Sequence, residues 1–197
     1  MPPHTIQTDE KRKVSNIKYL TAQDVSRLLD AAKETRYPDR DRALILLTFR
    51  HGLRASEAVD LQWSQIHLES ARIDVVRRKG SDNSVQALES DELRLLKRLK
   101  KNSPDNAYVF LSERGTPMTS DNFLRLLNRL GEAAGFSESI HPHQLRHGAG
   151  YQLINGGAST RQVQLFLGHK NLKHTELYTK LNANEFIGFG RTIGGKL

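Results

Sequence analysis

Between Ile140 and Tyr178 the chain carries a guanidinium, two imidazoles and a phenol: Arg146, His143, His169 and Tyr178. These are the kinds of group needed to break a phosphodiester without a metal ion. His143 stands three residues before Arg146, so on a helix the two share a face, their Cβ atoms about 5–6 Å apart. One phosphate could meet both. A tyrosine attacks poorly near neutrality because its reference pKa is about 10. Clustered cations and imidazoles correct this by stabilising the phenolate and the added negative charge on a pentavalent phosphorus.

Such a site depends on the elements that hold it. Pro142 suits the first turn of a helix carrying His143 and Arg146, where a missing N–H costs nothing. A second short helix is expected from Thr160 to Leu167, closed by Gly168, which leaves His169 at an exposed corner. Thr175 is placed to cap a third helix bearing Tyr178. Upstream, Thr21 and Asp24 read as a capping box with Asp in place of Glu, and Leu20 can staple onto Val25. The helix that follows reaches Lys33, with Val25, Leu28, Leu29 and Ala32 as its buried stripe. Asp39 to Arg50 reads as a mostly buried second helix ended by Gly52. Arg54 opens a third, with Glu57 one turn on. Taken alone, Arg54 and Glu57 would be a surface ion pair worth about 0.2–0.5 kcal/mol. Trp63, Ile66 and Leu68 are expected to pack beneath.

Ile73, Val75 and the basic run Arg77 to Lys79 alternate as a strand does, with a turn at Gly80 to Asn83 and a return strand from Ser84 to Leu88. Taken alone, Arg78 and Lys79 are solvated surface charge. Asp91 to Lys100 reads as an amphipathic helix and Tyr108 to Leu111 as a short buried strand. Thr119 or Ser120 is expected to cap a helix from Asn122 to Ala134.

The chain has 197 residues, enough for one domain. Lys and Arg number 30 against 22 acidic residues, a net charge of +8 and a pI near 9.8, which points toward a polyanionic partner. Without cysteine there is no disulfide frame and no thiolate metal site. Ala43 to Leu47 is too short an apolar run to span a bilayer, and Met1 to Lys13 lacks the apolar segment of a signal peptide. The expectation is a cytoplasmic protein associated with DNA. His143 and His147 lie one helical turn apart, as zinc ligands often do, but residue 144 is Gln where a zinc peptidase needs a glutamate base. No metal is therefore assigned, and His147 is given a supporting role.

His143-x-x-Arg146, Leu167-Gly168-His169 and Tyr178 resemble the C-terminal signature of the tyrosine recombinase (phage integrase) family. Gly52-Leu53-Arg54-Ala55-Ser56-Glu57 resembles its first-arginine motif, and Arg77-Arg78-Lys79-Gly80 stands where the family has its hairpin lysine. The likeness runs from about Leu20 to Phe186, with the parts in the family's order. His-Thr-x-x-Tyr-Thr around Tyr178, and the chain's length, most resemble the compact invertases that switch fimbrial genes.

The resemblance implies a mainly α (α+β) fold, a helical catalytic domain with a small antiparallel three-stranded sheet. It divides the chain into a flexible basic arm (1–17), the catalytic domain (18–181) and a tail (182–197). The tail packs in cis on the simple reading and docks on a neighbouring protomer on the family reading. It implies Tyr178 as nucleophile, Arg54 and Arg146 as phosphate clamps with Glu57 supporting, and His143 and His169 assisting. Lys79 is the general acid, with Arg78 the competing claimant. Arg77, Arg78, Arg125 and Arg129 are expected to contact DNA. The implied partners are duplex DNA with inverted-repeat sites, three further copies of the chain on that DNA, and DNA-bending accessory proteins. Free in solution the chain is expected to be a monomer or weak oligomer. No cofactor and no membrane is implied, and inversion, integration and excision all remain open. Two rivals share many of these features: a topoisomerase that nicks and reseals one strand, and a DNA-binding regulator that kept the fold and lost the reaction.

Overall fold

A computed structural model of the chain describes residues 19–77, 82–103 and 105–169 together with Thr175. The first helix, α1 (Ala22–Ala31), starts where two residues satisfy each other's backbone. The Asp24 amide donates to the Thr21 hydroxyl at 3.2 Å and the Thr21 amide to the Asp24 carboxylate at 3.0 Å, the reciprocal cap expected from the sequence. Leu20 and Val25, on either side of it, enter one core. A 3₁₀ turn, Ala32–Glu34, extends α1.

Helix α2 (Pro38–Arg50) begins on a proline and buries Ala43 to Leu47 continuously, as befits a helix packed on several sides. Past its end Gly52 has φ +56°, and a Cβ there would stand 2.3 Å from Cδ2 of Leu167, itself wholly buried. Gly52→Ala therefore meets a left-handed backbone and an occupied space together. Its expected cost is at least ~2 kcal/mol, read as a lower urea midpoint at unchanged m. An unshifted midpoint would show that the 52–54 corner relaxes freely.

Helix α3 (Ala55–Val59) follows, then three antiparallel strands in the order β1 (Ile66–His67), β2 (Arg72–Val75) and β3 (Ser84–Ala87). Ile66 pairs with Ile73, and Val75 with Ser84. The third strand comes from Ile66–His67. Tyr108 to Leu111, by contrast, makes only isolated bridges, Gln62 with Tyr108 and Leu111 with Pro117. Val109 and Phe110 are buried, so the apolar run there is a core plug held by single backbone contacts, not a sheet strand.

Four helices complete the described chain: α4 (Ser90–Asn102), α5 (Ser120–Ala133), α6 (Pro142–Asn155) and α7 (Thr160–Leu167). Thr119, not Ser120, caps α5, accepting from the Asn122 amide at 3.1 Å. Helix α6 lies close to the start of α1. The Leu20 amide donates to the Gln144 carbonyl at 3.0 Å, and a Cβ on Gly148 would come within 2.2 Å of the Leu20 oxygen. Helix α7 matches the expected span residue for residue and ends at Gly168 with φ +65°, the left-handed stop that glycine allows. Among the described residues no helix is long and apolar enough to cross a membrane.

Candidate active site

Glu57, one turn into α3, is nearly inaccessible, yet three guanidinium groups reach it from three separate elements. Arg54 caps the helix with its own amide, which donates to Glu57 Oε2 at 2.9 Å, while its Nη1 donates to Oε1 at 2.5 Å. Arg77, just beyond β2, donates from Nη1 to Oε2 at 2.9 Å. Arg146, on α6, places Nη1 3.8 Å from that same oxygen. Burial works to raise the Glu57 carboxyl, but the Arg54 amide, the Arg77 charge and the guanidinium hydrogen bonds overcome it and hold the group below the ordinary carboxylate range.

The main chain completes the cluster. The Gly52 carbonyl accepts from Arg77 Nη1 at 3.0 Å and from Arg146 Nη1 at 2.5 Å. Arg77 Nη2 reaches the carbonyls of His51 at 3.0 Å and Phe166 at 2.6 Å, and Arg146 Nη2 that of Leu167 at 2.7 Å. Phe166 and Leu167 close α7, where carbonyls lack helical partners and cations are favoured. Two arginines thus anchor the helix end from which His169 emerges. Three cations against one carboxylate leave the cluster net positive, and the Arg54 side chain, 30% exposed, faces outward from it. Such an arrangement has the charge to receive an anion.

His169 is held from both sides. Its amide donates to the Gln164 carbonyl and its carbonyl accepts from Gln164 Nε2, each at 3.0 Å, while Arg161 fixes the Gln164 amide oxygen at 2.7 Å. Nδ1 lies 3.0 Å from the buried hydroxyl of Thr175. Thr175→Val keeps the volume and removes this contact. With one net hydrogen bond lost, the fold is expected to lose about 0.5–1.5 kcal/mol, read as a lower urea midpoint; an unchanged midpoint would mean that His169 does not need its Nδ1 partner.

His143 is exposed on the first turn of α6 and His147 half-buried one turn on. Burial first, and then the nearby charges of His143 and Arg146, pull the His147 pKa below the usual imidazole value. Arg125 and Arg129 are exposed on α5. With Arg40 and Arg114 they border an open groove of about 520 Å³.

The structure thus brings Arg54, Glu57 and Arg146 together, with His143 and His169 on the elements that carry and flank Arg146. It corrects the expectation for Arg77. Expected to contact DNA from an exposed hairpin, its side chain is fully buried, its charge satisfied by Glu57 and three carbonyls. Alternation contains the signal: residues 73, 75 and 77 share the inward strand face, whereas Val76 is 51% exposed. Thr175 itself has helical backbone and is buried; the helix it was expected to cap lies outside the described residues. Gln164 was missed, although it occupies the apolar stripe between Val163 and Leu167. Arg78, Lys79 and Tyr178 lie outside the described residues.

Known proteins resemble the chain over most of its length. Residues 18–185 match the model of the phage integrase family. The type 1 fimbriae regulatory protein FimE of Escherichia coli K12 is 36% identical over 181 residues, 89% of this chain and 91% of that protein. Its counterpart FimB is 38% identical over 193 residues, 94% of this chain and 96% of that protein. Tyrosine recombinase XerC of Lactobacillus delbrueckii subsp. bulgaricus is 33% identical over 151 residues, 73% of this chain and 51% of that protein. Among solved structures, XerA recombinase aligns at a TM-score of 0.75 and 25% identity, covering 91% of this chain and 66% of that one. XerH site-specific recombinase bound to difH substrate aligns at 0.70 over 82% of this chain and 50% of that one; at 22% identity it speaks for the fold alone.

Proposed function

The chain belongs to the phage integrase family and is a tyrosine-type site-specific recombinase; we propose that it inverts a DNA segment bordered by inverted repeats, cutting each strand with Tyr178. The observation that supports the reading most is the convergence of Arg54 and Arg146, ninety-two residues apart in sequence, on the one carboxylate of Glu57.

In this reading the two guanidiniums hold the non-bridging oxygens of the scissile phosphate. The Tyr178 oxygen attacks phosphorus in line and its proton passes toward His143. The bond from phosphorus to the 5′ oxygen breaks, and that oxygen takes a proton from Lys79, or from Arg78 in its place. His169 donates a hydrogen bond to the phosphate as negative charge builds. A 3′-phosphotyrosyl link and a free 5′ hydroxyl result. Because the ester survives in that link, a 5′ hydroxyl from another strand reseals it by the reverse steps, with no ATP and no divalent metal. Arg125 and Arg129, on their groove, and Arg78 meet the DNA backbone.

Four copies acting on two paired sites, the 182–197 segment of each docked on its neighbour, would link the cleavage events, and DNA-bending proteins would bring the sites together. The free chain would be a monomer or weak oligomer, working at the nucleoid in the cytoplasm. The likeness of the Tyr178 region to fimbrial invertases favours inversion over integration or excision.

The test is a nicked duplex, its site selected from a random pool by binding, on which the short fragment bearing the freed 5′ hydroxyl is lost after cleavage and the intermediate cannot be resealed. The expected result is a covalent protein–DNA adduct, unaffected by EDTA, with the nucleotide mapped by mass to Tyr178. An adduct mapped to another residue removes the nucleophile, and loss of the adduct in EDTA returns the reaction to a metal.

A further inference from the structure

A second buried polar group lies behind the arginine cluster, and the cleavage steps do not use it. The His51 side chain, at the end of α2, is 4% exposed and that of Glu92, on α4, is 0% exposed. His51 Nδ1 lies 2.8 Å from Gln86 Oε1, on β3. The Gln86 amide is turned so that its oxygen faces the ring, because its nitrogen donates to the Ser84 hydroxyl at 3.0 Å. On the other edge, His51 Nε2 faces Glu92 Oε1 at 3.2 Å, a close polar contact that is out of line for a hydrogen bond, and neither atom has a hydrogen-bond partner among the described residues. The second Glu92 oxygen accepts from the Glu89 amide at 2.7 Å, with Arg50 Nη1 3.6 Å away. Both ring nitrogens therefore face oxygens, an amide oxygen and a carboxylate, and the Nδ1 edge donates to the amide.

This tie joins three elements at a sensitive place. The His51 carbonyl holds Arg77, and the next carbonyl, that of Gly52, holds Arg77 and Arg146 together. β3 is the strand returning from the hairpin whose sequence contains Lys79. A buried ionic group is a weak choice for stability alone, since apolar side chains of similar shape serve as well or better. Fixed geometry is what a ring bonded on one edge and faced by a carboxylate on the other supplies that an apolar one does not.

We propose that His51 is a positioning residue for strand cleavage: clamped between Gln86 and Glu92, its ring sets the 51–52 backbone on which Arg77 and Arg146 hang and ties that backbone to the strand returning from the lysine hairpin. The proposal rests on the recombinase reading and adds to it a residue that touches neither DNA nor the reacting atoms.

The test separates positioning from mere support of the fold. His51→Phe leaves Glu92 buried without its partner and lowers stability, whereas the double variant His51→Phe/Glu92→Met removes both polar groups and restores it. The double variant is expected to bind the selected duplex within about twofold of wild type yet to form the adduct on the order of 10–100-fold more slowly at saturating duplex. A rate that recovers along with stability overturns the proposal. Should the double variant not fold, Gln86→Met, on the partly exposed strand, removes one acceptor; adduct formation slowed by roughly fivefold at unchanged melting temperature is then expected, and an unchanged rate overturns the proposal. Wild type forming no adduct would sink the recombinase reading, and the role in cleavage with it, but not the tie between His51 and the backbone that holds the arginines. The tie is then decided by exchange of the Arg77 and Arg146 guanidinium protons, which quickens in Gln86→Met if His51 sets their carbonyl partners; unchanged exchange overturns it.

Discussion

Glu57→Gln is expected to cost the fold about 3–5 kcal/mol, the range for removing one partner of a buried ion pair. The substitution hardly changes shape, so packing contributes little to the loss. What it removes is the only carboxylate that Arg54, Arg77 and Arg146 share within 4 Å among the described residues. An amide can still accept through its oxygen, but its NH₂ must then face a guanidinium, and three cations are left to repel one another in a dry site. The sign of the pH dependence follows from the depressed carboxyl. Its contribution is fully present above the unfolded value, about 4.3, and is lost as pH falls through the lower value of the folded state. Urea midpoints measured from pH 7 down to pH 3 should therefore show wild type and Glu57→Gln far apart at neutrality and converging in acid. Equal midpoints at pH 7 would mean that the arginines are held by carbonyls alone. The same variant is expected to cleave slowly even where it is folded, because Arg54 can keep only one of its two bonds to that side chain, from its amide or from its guanidinium.

How far this could be read from the sequence depends on the range of the interaction involved. The caps at Thr21 and Thr119, the Pro142 start and the Gly168 stop act within four residues, and the pattern of types places them correctly. α7 was legible to the residue because cap, stripe and left-handed glycine all agree. The Arg54–Glu57 pair was also local, but that Arg77 and Arg146 join it was not: both reach across to carbonyls of residues 51–52 and 166–167, and no short window contains those acceptors. The period-two register of β2 did place Arg77 on the inward face. Its basic neighbours masked that signal, because a run of three cations reads as one solvated patch. Tyr108 to Leu111 failed for the opposite reason. Its apolar character was right, but pairing requires a partner edge, and residues 61–63 and 117–118 offer only single bridges or bonds. The His51–Glu92 contact joins residues forty-one apart, each of which reads as surface polarity in its own stretch.

Arg146→Lys is expected to slow adduct formation on the order of 10²–10³-fold at saturating duplex, the effect of removing one preorganised donor from developing charge, whereas Tyr178→Phe should abolish the adduct outright. The two variants fail for different reasons. Phenylalanine has no oxygen to attack phosphorus, so no link can form through residue 178. Lysine keeps the charge, so the duplex should still bind with nearly wild-type affinity. It lacks the planar fork, however, with which Arg146 spans the Gly52 carbonyl at 2.5 Å and the Leu167 carbonyl at 2.7 Å. A single ammonium on a flexible stem can hold one of these, not both, while presenting a donor to phosphate. Freed from its arginine, the end of α7 would also place His169 less firmly, so the loss should fall on the rate and not on binding. The decisive comparison is the rate measured beside the urea midpoint. A lysine variant that cleaves at the wild-type rate with a lowered midpoint would reduce Arg146 to a brace for α7 and leave Arg54 to hold the phosphate without it.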